Sequence, residues 1–305
     1  MLNILFFNTK HALLPEVIAY TKYFESYGFG CEQADNIDIR DHSDYDVHWY
    51  MMGTDINIPF KLRPRILIHE YQSASVGDYA ILKDLIKKFW PLVRKPDIRI
   101  FLNDKLTEHY GFKDNITYVC RDMGFYEEEL NVIEKDIDFL YVGTLEKERD
   151  IDVFIDGFIN DESSYKIYLL GNASIELKRL YYGNERVIFI GQVPYQEVYK
   201  YILRAKVCVN YIPDRFPYNI QTSTKLIEYA AYGTKFISTD YSWVREFEEK
   251  TESSFYKFKD DMSDFNTYDA FNFECTVGCI TDYRWDKILE RSDIISMLQD
   301  LNTRK

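Results

Sequence analysis

The sequence lacks the marks of several protein classes. It has only five cysteines among 305 residues, and their scattered positions are typical of a reduced, cytosolic protein. No run reaches the roughly eighteen uncharged apolar residues that a transmembrane helix needs. The formal net charge of −13 argues against a general nucleic-acid binder, because phosphate contacts need clustered Lys and Arg. We therefore expect a cytoplasmic protein with no nucleic-acid partner.

Signals for export and for metal binding are also weak. The opening MLNILFF has no positive n-region and no small-residue cleavage site, so it predicts a first strand and not a signal peptide. The closest cysteines, Cys275 and Cys279, have no His near them in sequence. Asp-x-Asp spacings occur at 44–46, 136–138 and 150–152. The last of these opens a predicted helix, where acidic residues suit the dipole as caps, so no metal is predicted.

The residues that are present predict a folded α/β protein. Hydrophobic residues make up 46% of the chain and aromatic residues 17%, which is enough to bury a core. Short apolar runs alternate with longer amphipathic ones, as in βαβ units with a mostly parallel sheet. Strands are predicted at 2–7, 46–51, 65–69, 98–102, 116–120, 139–142, 166–170, 187–190, 207–212 and 235–238. Helices are predicted at 15–27, 78–89, 105–110, 151–159, 196–204 and 224–232.

The length suggests roughly two domains, and the charged stretch EEELNVIEKD separates the two series of elements. We place the boundary near 127–136, between Rossmann-like domains at 1–130 and 131–280. A helical run that opens at Trp285 fills most of 281–305. Two interpretations of this terminal helix stay open: it packs on its own domain, or it crosses back to the first.

Ligands of open parallel sheets bind outside the carboxyl ends of the strands. Three predicted strands of the second half end there in a glycine, followed by a small or polar residue: Gly143-Thr144, Gly171-Asn172 and Gly191-Gln192. Glycine lets a ligand approach the backbone because it has no Cβ. Each glycine could also serve only a tight turn, but three in one domain favour a ligand cleft.

The most informative segment runs from Gln221 to Gly233. Thr222, Ser223 and Thr224 offer hydroxyl and N–H groups at a predicted helix start, where the dipole favours a phosphate. Lys225 adds positive charge, and Glu228 lies on the same helix face. A carboxylate can accept hydrogen bonds from the vicinal hydroxyls of a ribose. The alternative is a capped helix with a surface Lys–Glu pair.

The ordered set of motifs over about 136–240, with the terminal Trp-containing helix, resembles the GT-B glycosyltransferases. It is most similar to the retaining family 4, or group 1, type. The set comprises a strand ending in Gly-x-Leu, then L-x-G, V-x-F-x-G-x-V and K-L-x-E-Y-x-A-x-G-T-x-F-I. The resemblance implies two facing Rossmann-like domains: an acceptor domain at 1–130 and a nucleotide-sugar domain at 131–280. It also implies that 281–305 crosses back to the first domain.

The resemblance assigns roles to individual residues. Glu228 matches the glutamate that holds the ribose, and Thr222–Lys225 match the diphosphate-binding loop. Arg149 falls where the family has a Lys that meets the diphosphate. Gly191–Val193 and Tyr195 match the loop against which the base packs. The donor is then a nucleotide-diphosphate sugar of the UDP or GDP type, bound as substrate, with no other cofactor.

The sequence departs from the family pattern at two positions. Ile220 stands where the family often has the first glutamate of an E-x7-E pair, and Thr144 replaces the Arg that follows the first glycine. In the first domain, His69 ends the predicted strand ILIHE and resembles a family histidine that contacts the donor sugar. It could equally be a satisfied strand-end residue. Asn8, Thr9 and His11 follow the first strand and are further cleft candidates.

Catalysis would need positive charge at the leaving group. Breaking the sugar–phosphate bond places negative charge on the diphosphate, and preorganised cations and N–H dipoles stabilise it. Arg149, Lys225 and the helix start at 222–224 are the candidates. A retaining enzyme needs no general base, because the leaving diphosphate can take the proton, whereas an inverting one needs a His or acidic base.

A basic stretch stands out in this acidic chain. Lys83, Lys87, Lys88, Arg94, Lys95 and Arg99 lie between 81 and 99, with Phe89, Trp90 and Leu92 among them. Such a pattern suits an anionic membrane surface, which would place the protein on the inner face of the plasma membrane. The alternative, which we favour slightly, is a solvated helix whose apolar face packs inward.

These observations predict a transferase that moves a sugar to a saccharide or lipid-linked acceptor, as in bacterial surface polysaccharide synthesis. Two alternatives stay open. One is a nucleotide-sugar 2-epimerase, which needs acid and base carboxylates in the cleft and consumes no acceptor. The other is a non-catalytic nucleotide-binding partner of a transferase, which the departures at Ile220 and Thr144 make plausible.

Overall fold

The computed structural model describes residues 2–8, 14–35, 44–51, 64–90, 94–127 and 133–305. The chain divides into two compact units. The first unit combines Met1–Gly124 with Tyr283–Lys305, and the second is Phe125–Asp282. The chain therefore leaves the first unit once and returns to it at its end.

The first unit contains a six-stranded sheet with the order β2-β1-β3-β4-β5-β6. All adjacent strands pair in parallel. The side chains of β3, β4 and β5 are buried on both faces, as expected for strands covered by helices on either side. The strands are β1 Asn3–Asn8, β2 Gly30–Asp35, β3 Val47–Met51, β4 Ile66–Tyr71, β5 Ile98–Phe101 and β6 Thr117–Cys120. The connecting helices are α1 Pro15–Ser26, α2 Ala80–Phe89 and α3 Asp104–Tyr110.

Local sequence explains where two of these helices begin. Pro15 stands at the first position of α1, where its missing N–H costs nothing. Asn103 caps α3 by accepting a hydrogen bond from the Leu106 amide at 3.0 Å. Gly111 ends α3 in the left-handed region, with φ at 52°, which favours glycine.

A charged network lies inside the first unit. Glu70 is fully buried in β4 and forms an ion pair with Arg121, which follows β6. The Trp49 indole N–H donates to Glu70 Oε2 at 2.7 Å. The Tyr20 hydroxyl donates to the same oxygen at 3.1 Å and accepts from Arg121 Nε at 2.5 Å. Since buried charges need partners, this network ties α1, β3, β4 and the end of β6 together.

The C-terminal segment packs on the first unit as two helices, α10 Trp285–Ser292 and α11 Ile294–Arg304. The single helix predicted from the sequence was wrong here, because Asp293 takes a left-handed conformation with φ at 52°. Trp285 closes on Gly124, where an added Cβ would lie 2.9 Å from the indole. Lys305 Nζ donates to the Arg65 carbonyl at 2.7 Å.

The second unit contains a parallel sheet with the order β12-β11-β10-β7-β8-β9. Its strands are β7 Ile137–Val142, β8 Ile167–Leu170, β9 Val187–Gly191, β10 Ala205–Asn210, β11 Phe236–Thr239 and β12 Tyr256–Phe258. Its helices are α4 Ile151–Ile159, α5 Ile175–Leu180, α6 Tyr195–Arg204, α7 Thr224–Ala231, α8 Ser242–Thr251 and α9 Thr267–Asn272. Counted from β7, this is the Rossmann order 3-2-1-4-5-6, and the order reverses between β7 and β10.

Aromatic residues dominate the core between this sheet and its helices. Phe139 of β7 meets Phe158 of α4 edge to face, with 5.1 Å between ring centroids. Phe154 stacks on Tyr211 at 5.0 Å. Such pairs add specific geometry to apolar burial, and they fix α4 against the two central strands. In the described part of the chain, no helix is both long enough and apolar enough to cross a bilayer.

Candidate functional site

The reversal of strand order between β7 and β10 sets the position of the candidate site in the second unit. At such a point the connections leave in opposite directions, which opens a crevice at the carboxyl ends of the two strands. Tyr229 of α7 spans this point. Its hydroxyl accepts from the Val142 amide at 3.3 Å and donates to the Val209 carbonyl at 3.5 Å. These contacts fix α7 against the ends of both strands through the C-terminal half of the helix.

Ser223 caps α7 and is built into the core. Its hydroxyl accepts from the Leu226 amide at 3.3 Å and donates to Asn210 Oδ1 at 2.7 Å. The Asn210 amide in turn donates to Ser238 Oγ at 2.8 Å. The prediction that Ser223 offers its hydroxyl to a ligand was wrong, because the residue is 2% exposed and both roles of that hydroxyl are taken.

The neighbours of Ser223 differ in exposure. Thr222 is buried and Thr224 is half-buried. Below them, Asn210 links the end of β10 to β11 through Ser238. The positive end of the α7 dipole is thus held rigidly at the switch point, where it can attract an anion.

Lys225 lies in the first turn of α7 above the end of β10. Its ammonium donates to the Tyr211 carbonyl at 3.1 Å and lies 4.1 Å from the centroid of the Tyr141 ring. Burial lowers the pKa of Lys225 well below its usual value, and the nearby charge of Arg149 lowers it further. A negatively charged ligand would oppose both effects and favour the ammonium form.

Arg149 is the second cation at this edge. It ends a short 3-10 helix, Lys147–Arg149, directly after β7, and its guanidinium lies 5.2 Å from the centroid of the Tyr218 ring. After burial, its positive charge is the second cause of the lowered pKa of Lys225. The predicted pair of cations is therefore brought together by the loop after β7 and the helix after β10.

A salt bridge that the sequence did not reveal braces this edge. Arg215, in the loop after β10, pairs with Asp150 and donates from Nη2 to the Glu148 carbonyl at 2.7 Å. Asp150 and Asp152 stand at the start of α4 as predicted, with Asp150 at the N-cap position and Asp152 in the first turn. Asp150 has φ at 50° and makes no capping bond, because its carboxylate is directed to Arg215.

Glu228 lies three residues after Lys225 in α7 and adds a carboxyl group to the candidate site. Tyr195, the first residue of α6, donates its hydroxyl to Glu228 Oε1 at 2.6 Å. Among the described residues no donor reaches Oε2. Glu228 is 7% exposed, and burial raises its pKa to about 7, against the lowering effect of the Tyr195 hydrogen bond. The side chain therefore changes charge near neutral pH.

The strand-end glycines have structural reasons of their own. A Cβ on Gly171 would lie 2.0 Å from the Gly143 carbonyl oxygen, so the close approach of the two loops requires glycine here. Gly191 has φ at 91° and open space around it, so its backbone conformation requires glycine. The exposed residues after these glycines are Thr144, Asn172 and Gln192, and Val193 is half-buried.

A cavity of about 590 Å³ opens beside these loops, between α4 and α5. Leu145, Ile151 and Leu177 supply apolar walls, and Glu146 and Lys147 stand among the charged residues at its edge. Of the predicted site residues, Asn172 alone lines it. The cavity and the Lys225–Glu228 face of α7 are therefore different parts of the second unit.

The predicted site residues of the first unit are His69, Asn8, Thr9 and His11. His69 was predicted to end a strand, but β4 continues to Tyr71 and the His69 side chain is fully buried. Its ring meets Tyr50 edge-on, with 6.2 Å between centroids, so the role of a ligand-contacting histidine at a strand end was wrong. Asn8 is the last residue of β1. Thr9 and His11 lie outside the described residues.

Sequence reasoning missed the groups that orient the cations. Tyr141 and Tyr211 contact Lys225, Tyr218 lies beside Arg149, and Arg215 and Asn210 brace the loops. One signal was present, since Asn210 and Tyr211 follow a buried apolar run at the position where ligand-facing loops begin. Across the described ranges, no three His, Cys, Asp or Glu residues gather in a way that could hold a metal ion.

Comparison with protein families gives one match. Residues 136–265 match the family described as glycosyl transferases group 1. This range contains Arg149, Lys225 and Glu228 together with all six strands of the second sheet. No curated protein matches the chain in sequence.

Solved structures match the chain over its whole length. Sucrose-phosphate synthase from Thermosynechococcus elongatus has a TM-score of 0.69 at 12% identity, with 100% of both chains covered. AviGT4, a glycosyltransferase involved in avilamycin A biosynthesis, has a TM-score of 0.65 at 13% identity, covering 100% of this chain and 99% of that one. HepE of Anabaena in complex with UDP-glucose has a TM-score of 0.63 at 11% identity, with the same coverage. The two six-stranded parallel sheets are thus those of the GT-B fold.

Proposed function

We propose, from the GT-B fold and the match of residues 136–265 to glycosyl transferases group 1, that the chain transfers a sugar from a nucleotide-diphosphate sugar to a saccharide or lipid-linked acceptor. The observation that carries the proposal is the pairing of Lys225 with Arg149 at the strand-order switch. Burial, and then the charge of Arg149, lower the pKa of Lys225, and an anion beside the two cations would oppose both effects.

The diphosphate is assigned to the start of α7. A helix terminus with its dipole supplies partial positive charge, and Lys225 and Arg149 supply full charges. Thr222 and Thr224 contribute backbone N–H groups there. Ser223 contributes by holding the helix start in place through Asn210. Because these groups are fixed before a ligand arrives, little reorganisation is needed on binding.

The nucleoside is assigned to Glu228 and Tyr195. Glu228 lies one turn along α7 from Lys225, which suits the distance from a diphosphate to its ribose. In its ionised form Oε2 can accept from a ribose hydroxyl while Oε1 keeps the Tyr195 hydrogen bond. Gly191, Gln192 and Val193 precede Tyr195 and provide the wall for the base.

The proposed transfer depends on the charge that develops as the sugar–phosphate bond breaks. The bond from the sugar anomeric carbon to the β-phosphate oxygen breaks, and the sugar gains positive character while the diphosphate gains negative charge. Lys225 and Arg149 stabilise that charge. We favour retention, in which the acceptor hydroxyl forms the new bond on the same face and its proton passes to the leaving diphosphate. His69 has no part in this proposal, because it is buried in β4.

Uridine nucleotides are the first donors to test. HepE, which shares this fold, is known in complex with UDP-glucose. A saccharide acceptor or a lipid-linked one, as in bacterial surface polysaccharide synthesis, fits the group 1 match. A place on the cytoplasmic face of a membrane is the corresponding proposal for localisation, and it is supported by the surface of α2.

One experiment separates the candidate activities. The protein is incubated with UDP-, GDP-, ADP- and CMP-sugars, with and without saccharide and lipid-linked acceptors. Acceptor-dependent release of nucleoside diphosphate supports transfer. Formation of an epimeric nucleotide sugar without acceptor would contradict transfer and support a 2-epimerase. Nucleotide binding without turnover across the panel would support a non-catalytic partner.

A further inference from the structure

Helix α2 is oriented with its apolar face away from the first unit. Ile81 is 80% exposed and Phe89 is 56% exposed. Leu82, Leu85 and Ile86 are exposed as well. At about 100° per residue, these five side chains fall within an arc of roughly 140° on the helix. The prediction that this helix packs its apolar face inward was wrong.

Polar contacts made by the opposite face of α2 explain why its apolar face points outward. Asp84 points into the unit, where its carboxylate accepts from the Ser75 amide at 3.0 Å and the Tyr110 hydroxyl at 3.2 Å. The His109 ring lies 2.8 Å from its other oxygen. Lys87, 3.9 Å from Asp84, is mostly covered too, and burial lowers its pKa. Polar contacts therefore anchor α2, and they leave its apolar stripe outside.

Lysines border the stripe on both sides: Lys83 is exposed, with its ammonium 3.5 Å from the Val76 carbonyl, and Lys88 is half-buried. On a helical projection Lys88 lies roughly 20° beyond one edge and Lys83 roughly 60° beyond the other. Lysine side chains beside an apolar stripe can extend to phosphate groups while the stripe enters the acyl region. Arg94 and Arg99 do not belong to this surface, because they are buried. The basic stretch of the sequence is thus divided between surface and interior.

We propose that the α2 stripe, defined as Ile81, Leu82, Leu85, Ile86 and Phe89 with Lys83 and Lys88 at its edges, docks the protein on an anionic lipid bilayer. Charge complementarity identifies the occupant, because Lys83 and Lys88 place positive charge at both edges of the apolar stripe on a chain whose net charge is −13. The exposed Tyr79 precedes the helix and suits the interfacial region. The proposal stands apart from the donor site, because none of these residues belongs to it.

Vesicle flotation tests the proposal with the whole chain. Wild-type protein is expected to float with mixed phosphatidylcholine–phosphatidylglycerol vesicles and to bind pure phosphatidylcholine far less. In the variant Leu82→Gln/Ile86→Gln/Phe89→Gln, the partition constant for the vesicles should fall by about tenfold or more, because the apolar side chains no longer insert. The matched control is Ile175→Gln/Leu180→Gln on α5, where both side chains are 64% exposed, and it should bind like the wild type.

A second pair of variants tests the charges. Lys83→Gln/Lys88→Gln should weaken binding to anionic vesicles by roughly thirtyfold, from about 1 kcal/mol for each lysine near an anionic surface. Lys178→Gln/Arg179→Gln on α5 removes the same charge from the other unit and should have little effect. All variants are checked for fold by circular dichroism and for nucleotide binding, which should not change.

Three results would overturn the proposal. Absence of wild-type binding to the anionic vesicles is one, and unchanged binding of the triple variant is another. The third is concentration-dependent self-association that the triple variant abolishes, measured by light scattering without lipid, because the stripe would then be a contact between protein chains. A failed transferase assay would leave these outcomes unaffected, so the two proposals are tested separately.

Discussion

The Tyr195 hydroxyl lies 2.6 Å from Glu228 Oε1 and donates to it, and this contact joins the start of α6 to the middle of α7. Burial raises the pKa of Glu228 to about 7, and the Tyr195 hydrogen bond acts in the opposite direction. A carboxylate with these properties is poised to change protonation state when a ligand donor arrives. The consequences are measurable.

Nucleotide affinity should depend on the ionisation of Glu228. The ionised carboxylate accepts ribose hydroxyls better than the acid does, so UDP affinity should rise as the pH increases through about 7. Glu228→Gln should weaken binding about tenfold at about pH 8, in line with a hydrogen bond to a charged group, and should flatten this pH dependence. Titration calorimetry measures both effects. Glu197→Gln, an exposed change on α6, is the control, and an unaltered profile in Glu228→Gln would remove the ribose assignment.

The same substitution should stabilise the fold at alkaline pH. Because the folded pKa of Glu228 is raised from 4.5 to about 7, the folded state binds more protons than the unfolded state between these values, and stability falls as the pH rises through them. At about pH 8 the cost is roughly 3 kcal/mol, at 1.36 kcal/mol per unit. Urea unfolding should show Glu228→Gln more stable there and similar to wild type near pH 4. Equal stability at both pH values would contradict the pKa shift.

Lys225→Met should separate phosphate recognition from nucleoside recognition. Loss of the cation is expected to weaken UDP binding by roughly tenfold or more, whereas uridine affinity should stay the same. Because an anion raises the depressed pKa of Lys225, wild-type binding should take up more protons than binding by the variant at the same pH, whereas any proton that Glu228 releases is common to both proteins. Calorimetry in buffers of different ionisation enthalpy detects this difference.

The control for Lys225→Met is Lys166→Met, at the opposite edge of the same sheet. Lys166 is exposed and precedes β8, so its loss should change neither UDP affinity nor proton uptake. Equal weakening of uridine and UDP binding by Lys225→Met would indicate a distorted α7 instead of a lost phosphate contact.

Gly171→Ala should be strongly destabilising. The added methyl group would lie 2.0 Å from the Gly143 carbonyl oxygen, so the loops after β7 and β8 must separate, at a cost of about 3 kcal/mol. Gly183→Ala is the matched control, since Gly183 has φ at 80° but open space and should cost only about 1 kcal/mol. Urea unfolding of the two variants compares the costs, and similar values would contradict the close approach.

Arg121→Met should destabilise the first unit by about 3–5 kcal/mol, because it leaves the buried Glu70 carboxylate without its cation. The double variant Arg121→Met/Glu70→Gln should recover part of the loss, since no uncompensated charge remains. Hydrogen exchange of β4 amides reports on this unit directly. A double variant as unstable as the single one would show that packing, and not charge, dominates the network.

Periodicity predicted most of the second unit correctly. The five predicted strands and the helices that became α4, α6 and α7 appear within about two residues of their observed bounds, because buried parallel strands read as continuous apolar runs. The ten-residue helix α8 was also missed, and three other missed elements have physical reasons. β2 reads GCEQAD and has few apolar residues, α5 has six residues, and β12 has three. Short or polar elements carry little periodic signal.

The candidate site was predicted in outline but not in its contacts. The helix start, Lys225 and Glu228 lie on one stretch of sequence, so their spacing alone places them together. The roles of Tyr141 and Tyr211 depend on which strands adjoin at the switch point, which no local pattern encodes. The burial of His69 likewise depends on β4 extending to Tyr71 and on the layers around it. The error over α2 arose because amphipathicity gives the two faces of a helix and not which one points inward.

Because the chain returns to the first unit at Tyr283, the two units are completed at different times during synthesis. The second unit is one uninterrupted stretch, so all of its strands leave the ribosome before the first unit is complete. The first unit must wait for its last residues, because Trp285 supplies the cover over Gly124. Until residues 283–305 have been synthesised, β1 to β6 lack this cover and their surface at Gly124 stays open.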